Sequence, residues 1–268
     1  MKPSRFRYHP TLWLFVLLLF SAAVRATPLQ CPRQDCAGHG PDTLLHLMQQ
    51  CRAENSAGDL HCPCVDVEGD TAAEKGYVLL KDCRGIAQFL LLPSATVSGI
   101  EDPVLQGRGQ PDYFALAWQH RFLVEQALGH ALAPEQFSLA VNAQNRRSQN
   151  QLHIHMDCLA ADIRQSLRAR KNSIAANWQA LSVPLRGHAW RARRVPGNEL
   201  VLNPFNLLFA ALVQADGPGQ AQAEMGQHNL LLTAVTFADG PGFVLLDSTE
   251  AAAEDLQDHS CADAPEVR

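Results

Sequence analysis

Two imidazoles and a carboxylate stand at alternate positions in the stretch Ser148 to Cys158, S-Q-N-Q-L-H-I-H-M-D-C. Leu152, Ile154 and Met156 fill the positions between His153, His155 and Asp157. This alternation is the signature of a β-strand with one apolar and one polar face. Both histidines and the aspartate then point the same way, close enough for two rings to meet one substrate or one ion. A neutral imidazole is present at pH 7 and is a competent nucleophile toward phosphorus. The plain alternative is a half-exposed strand with two incidental surface histidines. Two such rings and an acid at strict two-residue spacing in an apolar frame favour chemistry.

The surrounding sequence must hold this strand. Asp42 to Cys51 opens on an N-cap residue and continues with an apolar repeat, which predicts a short helix. Gly76 to Lys81 and Ile86 to Pro93 read as two strands joined by the turn Asp82-Cys83-Arg84-Gly85. Asp112 to Gly129 reads as one long amphipathic helix. Gln136 to Asn142 is the next strand, and the turn Ala143 to Arg147 pairs it antiparallel with the histidine strand. Downstream come a charged helix, Asp162 to Lys171, extended segments Leu181 to Leu185 and His188 to Val195, and a helix Pro204 to Gln214 with proline at its start. A second hairpin, Leu230 to Phe237 with Phe243 to Asp247, and a short acidic helix, Glu250 to Asp258, complete the order. The predicted class is α+β: an antiparallel sheet with helices packed on one side.

The 268 residues and 47% hydrophobic content suit one globular domain with an extension. Lys2, Arg5 and Arg7 precede an apolar run, Thr11 to Val24, too short for the roughly 20 residues of a spanning helix. Residues 1–26 are therefore expected to be a secretory signal cut after Ala26, or an uncleaved membrane anchor, which Arg25 at the cut site favours. Residues 27–44 form a leader, 45–262 the folded domain and 263–268 a tail. Removing 1–26 leaves 18 basic against 27 acidic residues and moves the formal charge from −5 to −9. Such a domain is ill suited to nucleic acid, which is bound through basic patches.

All eight cysteines follow residue 26. An even count in an exported chain predicts disulfides; Cys51 with Cys64 and Cys158 with Cys261 are the expected pairs, the second stapling the C-terminus beside the histidine strand. His61, Cys62 and Cys64 alternatively resemble a fragment of a zinc site, but no second Cys-x-x-Cys exists to complete it.

Arg186, His188, Arg191, Arg193 and Arg194 form the one dense basic cluster. Guanidinium forks suit a pyrophosphate, and Arg186 and Arg193 are the candidates to bind it; the alternative is a solvated edge strand. Trp118 and Trp178 are expected in the core or an interface, and His120 and His130 at the surface. Lys75, Lys81 and Asp162 suggest no role.

The layout resembles the histidine-triad superfamily, whose strand motif alternates histidines with apolar residues. Gln151 occupies the first histidine's place, followed by His153 and His155. Asn142 at the end of the preceding strand, Ser148 before the motif, and a strand ending at Pro93 also correspond. The blocks G-Y-V-L-L-K-D at 76–82, Q-N-Q-L-H-I-H at 149–155 and L-R-G-H-A-W-R-A-R-R at 185–194 narrow the likeness to the bacterial CDP-diacylglycerol pyrophosphatase family, over roughly residues 45 to 262. The resemblance implies a histidine-triad-like sheet and hydrolysis of CDP-diacylglycerol to CMP and phosphatidate at the inner membrane, facing the periplasm, without metal or other cofactor. It implies His153 as the nucleophile that forms a CMP–histidine intermediate, His155 as the residue that orients it or binds phosphate, and Asn142, Ser148 and Gln151 as substrate contacts. An amide at position 151 hydrogen-bonds but cannot titrate. Relatives that dimerise suggest that residues 200–247, with a helix and hairpin but no second motif, are a degenerate internal duplicate; oligomeric state stays open.

Two other readings compete. His153-x-His155-x-Asp157 also resembles the zinc signature of metallo-β-lactamase-fold hydrolases, with His188 and His228 as further ligands. A non-catalytic periplasmic carrier of lipid or nucleotide would use the same apolar N-terminus and basic cluster.

Overall fold

The computed structural model describes residues 31–32, 40–107 and 109–264. The expected signal or anchor, most of the leader and the end of the tail lie outside the described residues. In chain order the elements are α1 (Thr43–Ala57), β1 (Cys64–Glu68), β2 (Tyr77–Lys81), β3 (Phe89–Pro93), α2 (Tyr113–Gln119), α3 (Phe122–Leu128), β4 (Phe137–Val141), β5 (Ile154–Cys158), α4 (Ala161–Arg170), β6 (Gln179–Ala180), β7 (Arg191–Pro196), α5 (Pro204–Asp216), α6 (Pro218–Glu224), β8 (Asn229–Phe237) and β9 (Gly240–Ser248). The strands form one nine-stranded sheet in the order β1-β2-β3-β5-β4-β8-β9-β7-β6, and every pairing is antiparallel. The class is α+β, as expected.

Helices cover both faces of the sheet, not one. On the first face, Leu79, Leu91, Leu139, Met156, Leu232 and Leu245 pack against Phe114, Val124 and Phe205 of α2, α3 and α5. The second face carries two smaller apolar clusters. Met48 and Cys51 of α1 pack on Val78, Leu80, Leu90 and Leu92 over β2 and β3. Ile163 and Leu167 of α4 pack with Ala140, Leu231, Leu246 and Ala192 over β4, β8, β9 and β7. The second set of helices follows from the strands themselves. Val78 and Leu80 are as apolar as Leu79, so these central strands are hydrophobic on both sides and each side needs a cover.

The expected helix over 112–129 is two helices broken at His120 and Arg121. His120 is buried rather than at the surface. Its Nδ1 lies 2.9 Å from the Leu116 carbonyl, and its ring packs edge-on to Tyr77. That side-chain bond competes for a carbonyl the helix would use to continue. The segment 181–185 is not a strand; Leu185 and His188 instead close a tight turn on each other. The expected acidic helix is only a 3-10 turn, Ala253–Leu256. β1, β6 and α6 are additional elements.

Cys51–Cys64 and Cys158–Cys261 are bonded as expected. Cys31–Cys62 is a third bridge, so neither Cys62 nor Cys64 is available to a metal.

Candidate active site

β5 lies between β3 and β4, and His155 is in register with Leu90 on one side and Ala140 on the other. Leu90 belongs to the cluster under α1 and Ala140 to the cluster under α4. The polar row of β5 therefore occupies the seam between two apolar patches on the second face. Leu152, Ile154 and Met156 are buried on the first face. The alternation read from the sequence is what holds His153, His155 and Asp157 together in that seam.

His153 is 7% exposed, and its Nδ1 lies 2.8 Å from the carbonyl oxygen of Gln151. A carbonyl only accepts, so Nδ1 carries the proton and the lone pair is on Nε2. Nε2 has no protein partner among the described residues. Burial, reinforced by the neighbouring His155, pushes the ring's pKa down to about 4. The two rings meet edge to face with centroids 4.8 Å apart.

His155 is held by Gln88, whose Nε2 is 2.8 Å from His155 Nδ1. With the Gln88 amide nitrogen donating, Nδ1 is the acceptor and Nε2 carries the hydrogen. That Nε2 lies 3.3 Å from Glu254 Oε2. Burial, then the charges of His259 and Arg84, push the His155 pKa down to about 3 in spite of that carboxylate. Asp157 is fully buried. Its Oδ2 accepts from His259 Nδ1 at 2.7 Å and its Oδ1 from the Cys158 backbone N–H at 2.8 Å. Burial raises the Asp157 pKa, while the bond to Asp157 raises that of His259.

The other candidates are placed as follows. Gln151 is fully buried, and its amide is engaged on three backbone groups: Val97 N–H donates to Oε1, and Nε2 donates to the carbonyls of Pro93 and Ala95. It ties the end of β3 to the approach of the histidine strand. Asn142 Oδ1 accepts from the N–H groups of Ala253 at 2.9 Å and Glu254 at 3.3 Å, and so fixes the turn that carries Glu254. Ser148 is exposed in the β4–β5 connection, with no polar partner among the described residues. Arg186 pairs with Asp162 and donates to the Asp255 carbonyl. With His188, Glu254 and His259 it lines a cavity of about 420 Å³, which Glu254 separates from His155. Arg193 is not brought to the site. It is in register with Leu245 on the first face, and four strand spacings of about 4.8 Å separate it from β5.

Gln88, Glu254 and His259 were not singled out in the sequence. Gln88 had a signal, as the one polar residue in the run I-A-Q-F-L-L-L-P. His259 had an indirect one: pairing Cys158 with Cys261 brings residue 259 beside 157. Glu254 had none. The C-terminal segment is bolted over β5 at several points. Asp258 N–H donates to the Cys158 carbonyl and Ile86 N–H to the His259 carbonyl. Gly85 permits that last contact, because it has φ +65° and a Cβ there would stand 3.0 Å from the His259 carbonyl oxygen.

The His-x-His-x-Asp residues do not converge as zinc ligands, since Asp157 is turned onto His259. Of the further ligands that reading needs, His228 is bonded to Asp247 at 2.6 Å, and Asp247 is in register with Leu230 on the first face. Among the described residues the one cluster of possible ligand atoms is Asp157, Cys158 and Cys261, and its two cysteines are bonded to each other.

What remains is a buried, neutral imidazole with a free lone pair beside a second ring that offers N–H, with Arg84 close enough for its charge to act on His155 and Arg186 on the cavity that Glu254 lines. This arrangement suits attack on a phosphoryl group. The family model described as CDH, CDP-diacylglycerol pyrophosphatase, matches residues 39–265. The chain belongs to the CDP-diacylglycerol pyrophosphatase family, hydrolases of phospholipid metabolism whose substrate is CDP-diacylglycerol.

Proposed function

We propose that the chain cleaves the pyrophosphate bond of CDP-diacylglycerol through a nucleotidyl–His153 intermediate. The observation that carries this reading is the bond from His153 Nδ1–H to the Gln151 carbonyl, which leaves the Nε2 lone pair facing the site. His153 Nε2 attacks the cytidylyl phosphorus, and the bridging oxygen departs with phosphatidate. A phosphate leaving group needs little protonation near neutral pH, so the first step calls for charge neutralisation more than for a general acid. His155 Nε2–H and the guanidinium groups of Arg84 and Arg186 supply it. Water then hydrolyses the P–N bond and releases CMP. Gln151 and Asn142 act in this scheme as positioning residues, and Ser148, exposed in the β4–β5 connection, is assigned to the leaving phosphate.

The cavity of about 420 Å³ lies within the range of small-molecule sites. It takes the nucleotide, and the acyl chains remain outside in a membrane surface. The disulfides Cys31–Cys62, Cys51–Cys64 and Cys158–Cys261 are consistent with an oxidising compartment, the periplasmic side of the inner membrane. The same reading includes a histidine-triad-like sheet with a degenerate second half, in which β8, β9 and β7 continue the sheet from β4 without a second His-x-His row.

The test is release of CMP from CDP-diacylglycerol in mixed micelles by the full chain, with and without EDTA. Metal-independent release, reduced to background by His153→Ala in a folded protein and unchanged by Arg193→Gln, supports the reading. Loss with EDTA and recovery with zinc would replace it with a metal hydrolase. Binding of the lipid without turnover would make the protein a carrier.

A further inference from the structure

The hydrolytic half of this reaction needs a group that activates water, and neither His153, just before β5, nor His155 within it is free to serve. His153 is occupied by the nucleotide at that stage, and His155 presents N–H rather than a lone pair. Glu254 Oε2 is buried and makes no hydrogen bond in the structure; His155 Nε2, 3.3 Å away, is also buried without one. His155 itself is only 5% exposed. A buried donor and a buried acceptor left unmatched beside each other are costly unless a third polar group completes them. A water oxygen or a phosphoryl oxygen fits that description.

Glu254 is also held too carefully for an incidental surface acid. Its own backbone N–H and that of Ala253 are clamped by Asn142 Oδ1 at the end of β4. Its other oxygen, Oε1, lies 3.6 Å from Arg84. Its charge is felt at both His153 and His259. It lines the cavity with Arg186, His188 and His259. The residue thus stands between the nucleophilic strand and the open cavity from which water arrives.

We propose that Glu254 is the catalytic base that activates the water resolving the nucleotidyl–His153 intermediate. This rests on the covalent reading above. The water oxygen forms the new P–O bond while its proton passes to Glu254 Oε2. The P–Nε2 bond breaks, its electron pair returns to the His153 ring, and CMP is released. Glu254 then gives its proton to solvent through the cavity. The Asp157–His259 pair supports the carboxylate by placing an imidazole with raised basicity nearby. Asn142 is a positioning residue for the base, which accounts for an asparagine whose oxygen is spent on two backbone groups.

The experiment uses the full chain and CDP-diacylglycerol labelled with ³²P in the cytidylyl phosphate, quenched at times from milliseconds to minutes. Glu254→Gln preserves the backbone N–H that Asn142 binds and the shape of the side chain. It is expected to release phosphatidate in a burst equal to the enzyme, to retain label on His153, and to turn over about 100- to 10,000-fold more slowly. Glu254→Asp, which keeps the charge on a shorter stem, is expected to fall between. A variant that folds but shows no burst places Glu254 in the first step and overturns the proposal. So does label that decays as fast in the variant as in the wild type. Absence of label from wild type and both variants, with CMP still released, refutes the covalent reading itself. If Glu254→Gln does not fold, Glu254→Asp decides alone: decay of label at the wild-type rate overturns the proposal, and slowed decay supports it.

Discussion

Lowering the pH from 7.5 to 5 separates a buried nucleophile from an ordinary histidine. A free imidazole with pKa 6.5 would be about 3% neutral at pH 5, whereas one with a pKa near 4 is about nine-tenths neutral. The pyrophosphate diester of the substrate does not titrate in that interval. The burst of phosphatidate, which reports only attack by His153, should therefore fall by much less than twofold, against about 30-fold for an unperturbed ring. The same burial carries a cost in stability. Both rings have folded pKa values below their unfolded value of 6.5, so above pH 6.5 they are neutral in either state and contribute no pH dependence. Below it the unfolded chain binds protons that the folded chain refuses, and stability falls until the pH reaches the folded values near 4 and 3. At pH 5 this is about 2 kcal/mol for each histidine, or about 4 together, a large share of the roughly 5–15 kcal/mol typical of a domain. His259 works the other way. Its folded pKa is raised, so its stabilisation is present below 6.5 and lost as the pH rises through the folded value. Urea unfolding of wild type and of the His153→Gln/His155→Gln double variant at both pH values isolates the two rings. The variant should lose about 4 kcal/mol less than wild type. An acid limb near pH 6.5 in the burst, or equal losses of stability in the two proteins, would refute the claim that these rings are buried and neutral.

Gln151→Ala should leave the Val97 N–H and the carbonyls of Pro93 and Ala95 without their side-chain partner and cost about 2–4 kcal/mol, read as a shift in the urea midpoint. Cys158→Ser/Cys261→Ser opens a link between residues 103 apart; a loss of about 2–5 kcal/mol is expected, with a larger fall in CMP release than when Cys51–Cys64 is removed, because only the first bridge holds His259 against Asp157.

The sequence alone determined the reactive row. Period-two alternation around His153, His155 and Asp157 fixes which face each side chain takes, because a strand leaves no other choice. It determined the class and two of the bridges for similar local reasons: runs of apolar residues, turn signals and cysteine parity. It also carried the family likeness, through blocks of residues contiguous in the chain. The order of strands and what each residue touches were decided by tertiary structure. Arg186 and Arg193 lie in one sequence cluster, yet one lines the cavity and the other sits on the opposite face, because β7 joins the sheet through β9 and alternation sends Arg193 to the side of Leu245. His120 reads as a surface residue in a helical pattern and is buried, since packing against Tyr77 lies outside any local window. Glu254 and His259 reach the histidines from about 100 residues downstream in the chain. Helical or strand periodicity extends over only a few residues, so no pattern in the sequence marks a contact made by a returning segment; the pairing of Cys158 with Cys261 was its one local trace.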